Sequence, residues 1–288
     1  MPLRHALLAL VVVVCWGTNF LVIDIGVSDV PPLLFLALRF ALVAFPAMLF
    51  LPRPKLPWRD IVLVGVFMSL VQFALLNFAL ALGMPPGLAS LLHQAQVLLT
   101  IVVAAVLLRE RPSRRQVVGI VVGTAGLGIV IAGQGDGAPW FTIVLLAAAS
   151  LSWAIGNVLT RRAGDAAGLS LVVWSAAFVP IPAVLLSLVV DSPAVVVDAL
   201  THLSLPAILS TLYTVVISSF LGYGLWSWLL ARYPASAVVP WALLIPFVGI
   251  LTAWLGQGEV PAFTTLIGGA VLLAGLGIAV VVRRPTVL

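Results

Sequence analysis

The stretch Leu88–Leu108, LASLLHQAQVLLTIVVAAVLL, carries no formal charge. At about 1.5 Å per residue, a helix of this length spans the hydrocarbon core of a bilayer, which is about 30 Å thick. The stretch also contains His93, Gln94 and Gln96, and polar side chains at this depth are costly unless they face protein or water. At about 100° per residue, His93, Gln96 and Thr100 share one helix face, whereas Gln94 points elsewhere. These groups either join neighbouring helices by hydrogen bonds or line a polar path, and their number favours the path.

Composition places the whole chain in a membrane. Of its 288 residues, 63% are hydrophobic and only 8% are charged, whereas a soluble domain carries about 25% charged residues. Repeated apolar runs of about twenty residues indicate helical spans, because a spanning β-barrel needs alternating segments of about ten residues. The single cysteine, Cys15, excludes a disulfide framework. We therefore predict an all-α membrane protein without a separate soluble domain.

Ten spans are predicted along the chain. We expect the first span to remain in the mature protein. It is longer than the apolar region of a signal peptide, and it lacks a small-residue cleavage pattern. The ten spans are Leu7–Gly26, Leu33–Leu51, Ile61–Leu82, Leu88–Leu108, Gln116–Gly133, Pro139–Thr160, Leu169–Val190, Leu205–Leu230, Ser236–Leu255 and Phe263–Val282.

The basic residues predict the orientation. All but one of the 14 lysines and arginines lie in segments that fall on one side of this arrangement, while the loops on the other side, including those with Asp136 and Glu259, contain none. The basic segments hold Arg4, Arg53, Lys55, Arg59, Arg109, Arg111, Arg114, Arg115, Arg161, Arg162, Arg232, Arg283 and Arg284. Basic loops stay in the cytoplasm. Both termini are therefore predicted to be cytoplasmic, in a bacterial inner membrane.

Two parts of the sequence repeat. The Glu-x-Pro at 110–112 and the AGLGI at 125–129 recur 149 residues later, at 259–261 and 274–278. Both motifs share one offset, which indicates a duplication into residues 1–134 and 135–288. Each unit holds five spans. Because five crossings end on the opposite side of the membrane, the second unit is predicted to be inverted relative to the first. Inverted repeats are typical of secondary transporters, which bind substrate between the repeats and work by alternating access. A duplicated structural membrane protein is the alternative.

Three short motifs occur in order along the chain. They are CWGTNF at 15–20, Arg39-Phe40 in the second span, and RERP at 109–112. With the glycine-rich fifth and tenth spans, they resemble the Trp-Gly-x-x-Phe, Arg-Phe and Gly-Glu-Arg elements of the ten-span EamA-type branch of the drug/metabolite transporter superfamily. Arg109 stands where that family usually has glycine, and Val260 replaces the arginine in the second half. The resemblance covers essentially the whole chain. It implies a bundle of ten helices in two inverted halves that exports amino acids or related metabolites from the bacterial cytoplasm.

Polar and aromatic residues at similar depth in six spans predict a central cavity, with the second, fifth, seventh and tenth spans as its outer wall. The candidate substrate-binding residues are Trp16, Asn19, Gln72, Asn77, His93, Gln96, Trp153, Asn157, Ser219, Tyr223 and Trp241. With a one-residue gap in the alignment of the two units, the repeat pairs His93 with Trp241 and Gln72 with Phe220. A cavity polar on one wall and apolar on the other suits an amphipathic solute, such as an amino acid with an apolar side chain. Helix packing is the alternative for the three tryptophans, and Tyr223 is a candidate gate.

Two charged residues lie within predicted spans. Asp24 is near the outer end of the first, and Arg39 lies about 10 Å below the outer surface in the second. An ion pair between them would reduce the cost of burying either charge, so we expect a structural pair. Proton coupling by Asp24 is the alternative. The four-helix multidrug relatives of the family use a glutamate at mid-depth in the first span, and the lack of such an acid here disfavours that mechanism.

Other functions fit this sequence less well. It contains no HExxH, CxxC, GxSxG or GxxxxGK[ST] motif, so we expect no enzyme, no nucleotide-driven pump, no cofactor and no metal. The basic residues flank spans, so no nucleic-acid partner is expected. A carrier of drug-like cations or nucleotide sugars, and a channel, remain alternatives. The predicted partners are a small-molecule substrate and the lipid bilayer, and we expect the protein to function as a monomer.

Overall fold

The computed structural model describes residues 1–134, 137–164 and 168–280. Within these ranges nine helices are long and apolar enough to cross a bilayer, and a tenth apolar helix, α2, is shorter. They are α1 (Leu3–Asp29), α2 (Pro32–Met48), α3 (Trp58–Ala81), α4 (Pro86–Leu107), α5 (Arg114–Ala132), α6 (Trp140–Arg162), α7 (Leu169–Val190), α8 (Leu205–Leu230), α9 (Val239–Gln257) and α10 (Phe263–Val280). Their ends agree with the predicted spans to within about one helical turn. The predicted all-α membrane fold is therefore confirmed.

Some features used in the predictions fall outside the described residues. Asp136, Arg283 and Arg284 do so, as do position 135, the predicted start of the second half, and Val282, the predicted end of the tenth span. Within the described part, an additional short helix, Pro193–Thr201, joins α7 to α8.

Helix α4 is interrupted, which corrects the prediction of a continuous helix over Leu88–Leu108. Its two α-helical parts, Pro86–Leu92 and Ala95–Leu107, are separated by a turn at His93 and Gln94. In the turn, the Gln94 N–H bonds to the carbonyl three residues back, at 3.1 Å, rather than four. Helix α9 is irregular at the equivalent level, since Val239–Leu244 is a 3₁₀-helix before the α-helix Ile245–Gln257 begins.

Helices α3 and α8 contain the wider π-helical turn. It covers Gly65–Val71 in α3 and Tyr213–Tyr223 in α8, and Gln72 follows directly after the first of these segments. π-Helical turns occur frequently at functional sites. In α7, a short break precedes Pro180, where the second α-helical part begins, since proline cannot donate a backbone hydrogen bond.

Helices α5 and α10 pack antiparallel with their backbones in contact. A Cβ atom built on Gly119 would lie 2.6 Å from the Gly275 carbonyl oxygen, and one built on Gly268 would lie 2.8 Å from the Gly126 carbonyl oxygen. The two contacts correspond, because Gly268 and Gly275 follow Gly119 and Gly126 by the repeat offset. Small residues allow membrane helices to approach this closely.

The remaining contacts show which helices pack against α4 and against each other. Helix α4 packs against α6 and α9, α1 packs against α8 and α9, and α3 packs against α6. Helix α2 packs mainly against α7, and α5 against α10. The break in α4 and the π-helical turns of α3 and α8 therefore lie on the helices that form the interior.

Candidate functional site

A buried hydrogen-bond network centres on His93, at the break in α4. Its Nδ1 lies 3.1 Å from Ser150 Oγ in α6, and its Nε2 lies 3.4 Å from Gln72 Nε2 in α3. Ser150 donates its own proton to the Leu146 carbonyl, 2.9 Å away, so its oxygen accepts from His93 Nδ1–H. His93 Nε2 is then the acceptor for the Gln72 amide. These bonds describe a neutral imidazole held in one tautomer and one orientation.

Aromatic rings surround this network. The centroid of the His93 ring lies 6.3 Å from that of Trp153 and 6.1 Å from that of Phe20, and the Trp153 and Phe73 centroids are 6.4 Å apart. All three pairs meet edge to face, an arrangement that aromatic rings prefer to a face-to-face sandwich. His93 and Gln72 are buried, so both face protein rather than lipid. The structure therefore brings together three predicted site residues, Gln72, His93 and Trp153.

Arg39 extends this group from α2 to α8. Its guanidinium carbon lies 4.2 Å from the centroid of the Phe73 ring, and its Nη2 donates to Ser219 Oγ at 3.3 Å. The Ser219 hydroxyl donates in turn to the Thr214 carbonyl, 2.7 Å away. Arg39 is only 2% exposed. Helix α2 was predicted to be outer wall, but it contributes a buried charge to the site.

The predicted ion pair between Asp24 and Arg39 is wrong for the described structure. Asp24 Oδ2 accepts from Gln257 Nε2 at 2.7 Å, whereas Arg39 donates to Ser219. The reason is packing: α1 contacts mainly α9 and α8, and α2 contacts mainly α7. Helices that follow each other in sequence need not be main packing partners in the bundle.

A second aromatic group lies beside the first. Trp16 donates its Nε1–H to the Ser218 carbonyl at 3.1 Å. Its ring centroid is 5.2 Å from that of Tyr223 and 5.3 Å from that of Trp226. Ser218 directly precedes Ser219, the residue that Arg39 contacts, so α8 connects the two groups. The role of Tyr223 as a gate stays a prediction.

The other predicted residues lie outside the His93 network. They are Asn19, Asn77, Gln96, Asn157 and Trp241. Asn77 donates to the Pro32 carbonyl at 3.1 Å, and Asn157 donates to Thr100 Oγ1 at 3.4 Å. Trp241 packs in a separate apolar group, Gln96 is half-buried, and Asn19 is buried.

Sequence reasoning missed the partners that complete the site. Ser150 and Phe73 belong to no motif, and neither their spacing nor their type distinguishes them from other residues of apolar helices. Arg39 had a usable signal, because it is the one basic residue inside a predicted span.

Sequence reasoning also missed two links between the first and second parts of the chain. Gln94 Nε2 donates to the Ala242 carbonyl at 3.0 Å, which ties the break in α4 to the 3₁₀ segment of α9. The Glu259 carboxylate accepts from the backbone N–H groups of Gly87 at 2.9 Å and Leu88 at 3.2 Å, at the start of α4. Burial raises the pKa of Glu259, while the two N–H groups act in the opposite direction. The recurrence of Glu110 as Glu259 was the available signal for this contact.

Two apolar grooves, each of about 320 Å³, lie on the described part of the molecule. One is lined by Leu8, Phe220, Leu221, Gly224, Leu225 and Trp228, and the other by Pro46, Ala47, Phe50, Leu51, Leu169 and Phe220. Neither groove contains a predicted site residue. The polar residues around His93 instead contact one another.

Comparison of the sequence with known proteins identifies the family of this chain. The EamA-like transporter family matches residues 3–132 and again residues 140–281. The chain is 40% identical over 286 residues to a probable amino-acid metabolite efflux pump of Salmonella typhimurium, covering 97% of this chain and 96% of that protein. It is 38% identical to the probable amino-acid metabolite efflux pump of Escherichia coli, with the same coverage.

Two further similarities extend across nearly the whole chain. A probable terminal-alkyne amino-acid exporter of Streptantibioticus cattleyicolor is 30% identical, covering 96% of this chain and 93% of that protein. A solved crystal structure with 20% sequence identity aligns with a TM-score of 0.68, over 99% of this chain and 98% of that one, which supports the fold. The chain therefore belongs to the EamA-like transporter family and is a multi-pass membrane transporter rather than an enzyme.

Proposed function

We propose that this transporter exports amino acids, or related small amphipathic metabolites, across the bacterial inner membrane. The observation that carries the proposal is the buried group around His93, in which a neutral imidazole and an amide meet the rings of Trp153 and Phe73. Polar and aromatic groups in one site suit a solute that has a polar end and an apolar end. Three similar proteins, two described as probable amino-acid metabolite efflux pumps and one as a probable amino-acid exporter, support the same substrate class.

The proposed mechanism is alternating access between residues 1–134 and 135–288, arranged as inverted five-helix repeats. The antiparallel contacts of α5 and α10 support this, because Gly119 meets Gly275 as Gly268 meets Gly126. Breaks at equivalent levels of α4 and α9 give further support, since interrupted helices at a repeat interface are typical of secondary transporters. The substrate site lies between the two repeats, and one copy of the chain is sufficient for transport.

Orientation follows from the basic loops, with both termini in the cytoplasm. Lys55 and Arg111 are exposed at one end of the bundle, and Asp29 and Val260 at the other. One relative, 32% identical over 56% of this chain, is described as an inner membrane transporter of Escherichia coli, which supports the proposed location.

Counterflow in liposomes tests this function. Purified protein is reconstituted with a panel of unlabelled amino acids inside, and uptake of the labelled amino acid is followed with and without a pH gradient. We expect saturable uptake driven by the trapped amino acid, which a channel does not produce. If no amino acid in the panel gives counterflow, the proposed function is wrong. A pH gradient that changes the rate indicates proton coupling.

Variants of α4 and α3 connect the function to the site. His93→Ala, Gln96→Ala and Gln72→Ala are expected to reduce counterflow while the protein remains folded. Val106→Ala is the matched control, because this α4 residue is 70% exposed and lies away from the network. If the His93 and Gln72 variants both kept full activity, the His93 network would not be part of the substrate path.

A further inference from the structure

Arg39 is a buried cation without a counter-ion in the described part of the chain. No carboxylate among those residues lies within 4.0 Å of its guanidinium, whose only hydrogen bond there is the 3.3 Å contact from Nη2 to Ser219. Its Nε–H is buried and has no partner among the described residues. An unpaired charge at membrane depth is expensive, and such residues usually mark the path of a substrate or ion. The contact with the Phe73 ring offsets only part of that cost.

Three buried oxygen atoms in the first half also lack hydrogen-bond partners among the described residues. They are Asn19 Oδ1 in α1, and Gln72 Oε1 and Asn77 Oδ1 in α3. A buried polar atom without a partner needs an explanation such as a water or a ligand. Gln72 directly precedes Phe73, the ring that Arg39 contacts. Asn19 directly precedes Phe20, whose ring meets that of His93, the hydrogen-bond partner of Gln72. The unpaired donor of Arg39 and the unpaired acceptors of Gln72 and Asn19 therefore belong to one connected group of buried residues.

We propose that Arg39 binds the α-carboxylate of the transported amino acid and that the amide oxygens of Gln72 and Asn19 accept hydrogen bonds from its α-ammonium group. This inference rests on the proposed function and specifies how its substrate is recognised. Nε–H and Nη2–H lie on one edge of the guanidinium plane, and a carboxylate fits that edge with two parallel hydrogen bonds. In taking Nη2, the carboxylate replaces the long bond to Ser219. An apolar side chain then lies against the rings of Phe73 and Trp153.

The same atoms argue against the other carriers considered for this fold. A drug-like cation would meet the uncompensated charge of Arg39 and be repelled. A nucleoside-diphosphate sugar brings two phosphate charges, for which the described interior offers one buried arginine. A zwitterion supplies one anion for Arg39 and one set of N–H donors for the amide oxygens, so Arg39, Gln72 and Asn19 each find a partner.

Ligand-induced stabilisation of the purified full-length chain tests the inference, because a ligand that binds the folded state raises its unfolding temperature. The probes are L-leucine, leucinamide, which lacks the carboxylate, and 4-methylpentanoate, which lacks the ammonium group. The variants are Arg39→Gln, Arg39→Lys and Gln72→Met. Arg53→Gln is the matched control, because Arg53 stacks on Trp58 at 4.0 Å in an exposed segment away from the site.

We expect the wild-type chain to need at least about tenfold more leucinamide or 4-methylpentanoate than leucine for the same stabilisation, each tenfold corresponding to about 1.4 kcal/mol. Arg39→Gln should lose the preference for leucine over leucinamide, and Arg39→Lys should retain part of that preference. Gln72→Met should lose the preference for leucine over 4-methylpentanoate. Arg53→Gln should behave as wild type.

The outcomes separate the two proposals. A wild-type chain that binds leucinamide as well as leucine, or a folded Arg39→Gln variant that keeps the preference, overturns the inference while counterflow still supports amino-acid transport. No leucine binding by the wild-type chain also overturns it, whichever solute counterflow detects. Absence of counterflow with every amino acid overturns the proposed function and the inference together.

Discussion

Gln94 in α4 donates its side-chain amide to the carbonyl of Ala242 in α9, 3.0 Å away. The predicted internal repeat, with its one-residue gap, pairs these two residues at an offset of 148. In that alignment the bond joins a position in the first half to its counterpart in the second. It also connects the two interrupted helices at their irregular segments. The breaks in α4 and α9 are therefore physically coupled, and each supports the geometry of the other.

Replacing Gln94 with methionine removes this bond while keeping the length of the side chain. Gln94 is buried, and one net intramolecular hydrogen bond contributes about 0.5–1.5 kcal/mol. We expect the unfolding temperature in detergent to fall accordingly. Val106→Ala, on the exposed face of the same helix, should change stability by less than about 0.5 kcal/mol. A Gln94→Met variant as stable as wild type would show that the breaks persist without this link.

Two glycines of α5 should respond differently to the same substitution. A Cβ atom on Gly126 would lie 2.3 Å from the Leu272 nitrogen and 2.7 Å from the Gly268 carbonyl oxygen, both backbone atoms that cannot rotate away. One on Gly128 meets no described atom within 4 Å. Gly126→Ala should therefore separate α5 from α10 and cost at least about 1–3 kcal/mol.

Gly128→Ala is the matched control in the same helix. It should leave stability unchanged or raise it by about 0.5–1 kcal/mol, because alanine is the better helix former. Thermal unfolding of both purified variants distinguishes the cases. Equal behaviour of the two variants would mean that the close backbone contact does not form.

Glu259 gives the folded chain a measurable pH dependence. Its pKa is raised above 4.5 by burial, despite the N–H groups of Gly87 and Leu88. The folded state therefore binds this proton more tightly than the unfolded state, and stability falls as the pH rises from 4.5 through the raised pKa. Glu259→Gln cannot titrate. We expect the difference in unfolding temperature, wild type minus Glu259→Gln, to decrease as the pH rises through that interval. Below and above the interval this difference should not change with pH. A difference that rises with pH would contradict the assignment.

Chemical labelling tests the proposed orientation. Cys15 is buried, and Cys15→Ala supplies a background for single cysteines at exposed Lys55 and at Val260, which is 75% exposed. In intact spheroplasts, a membrane-impermeant maleimide should label Val260→Cys, whereas Lys55→Cys should react only after permeabilisation. The reverse pattern would place both termini outside the cytoplasm.

Most of the fold could be predicted from the sequence, because span length, hydropathy and flanking charge are local properties. The helix ends in the described part of the chain follow from apolar runs and from residues such as Pro86 that begin helices. The turn at His93 could not be predicted, since its stability depends on Ser150 in α6 and Gln72 in α3. The hydrophobic pattern of one helix contains no information about which residues of other helices will contact it.

The site was predicted in part for the same reason. Residue type and depth identified His93, Gln72 and Trp153, which do meet. Those criteria could not indicate that Arg39 packs on Phe73 and reaches α8 instead of pairing with Asp24. Partner choice depends on which helices are neighbours, and short loops permit several arrangements.

The glycine contacts between α5 and α10 limit how this protein can move. With no side chain separating the backbones at Gly126 and Gly275, a slide of one helix along the other would press Val130 and Leu272 onto carbonyl groups. Under the proposed alternating access, α5 and α10 therefore stay in register with each other. The other helices tilt relative to this pair, which acts as a hinge.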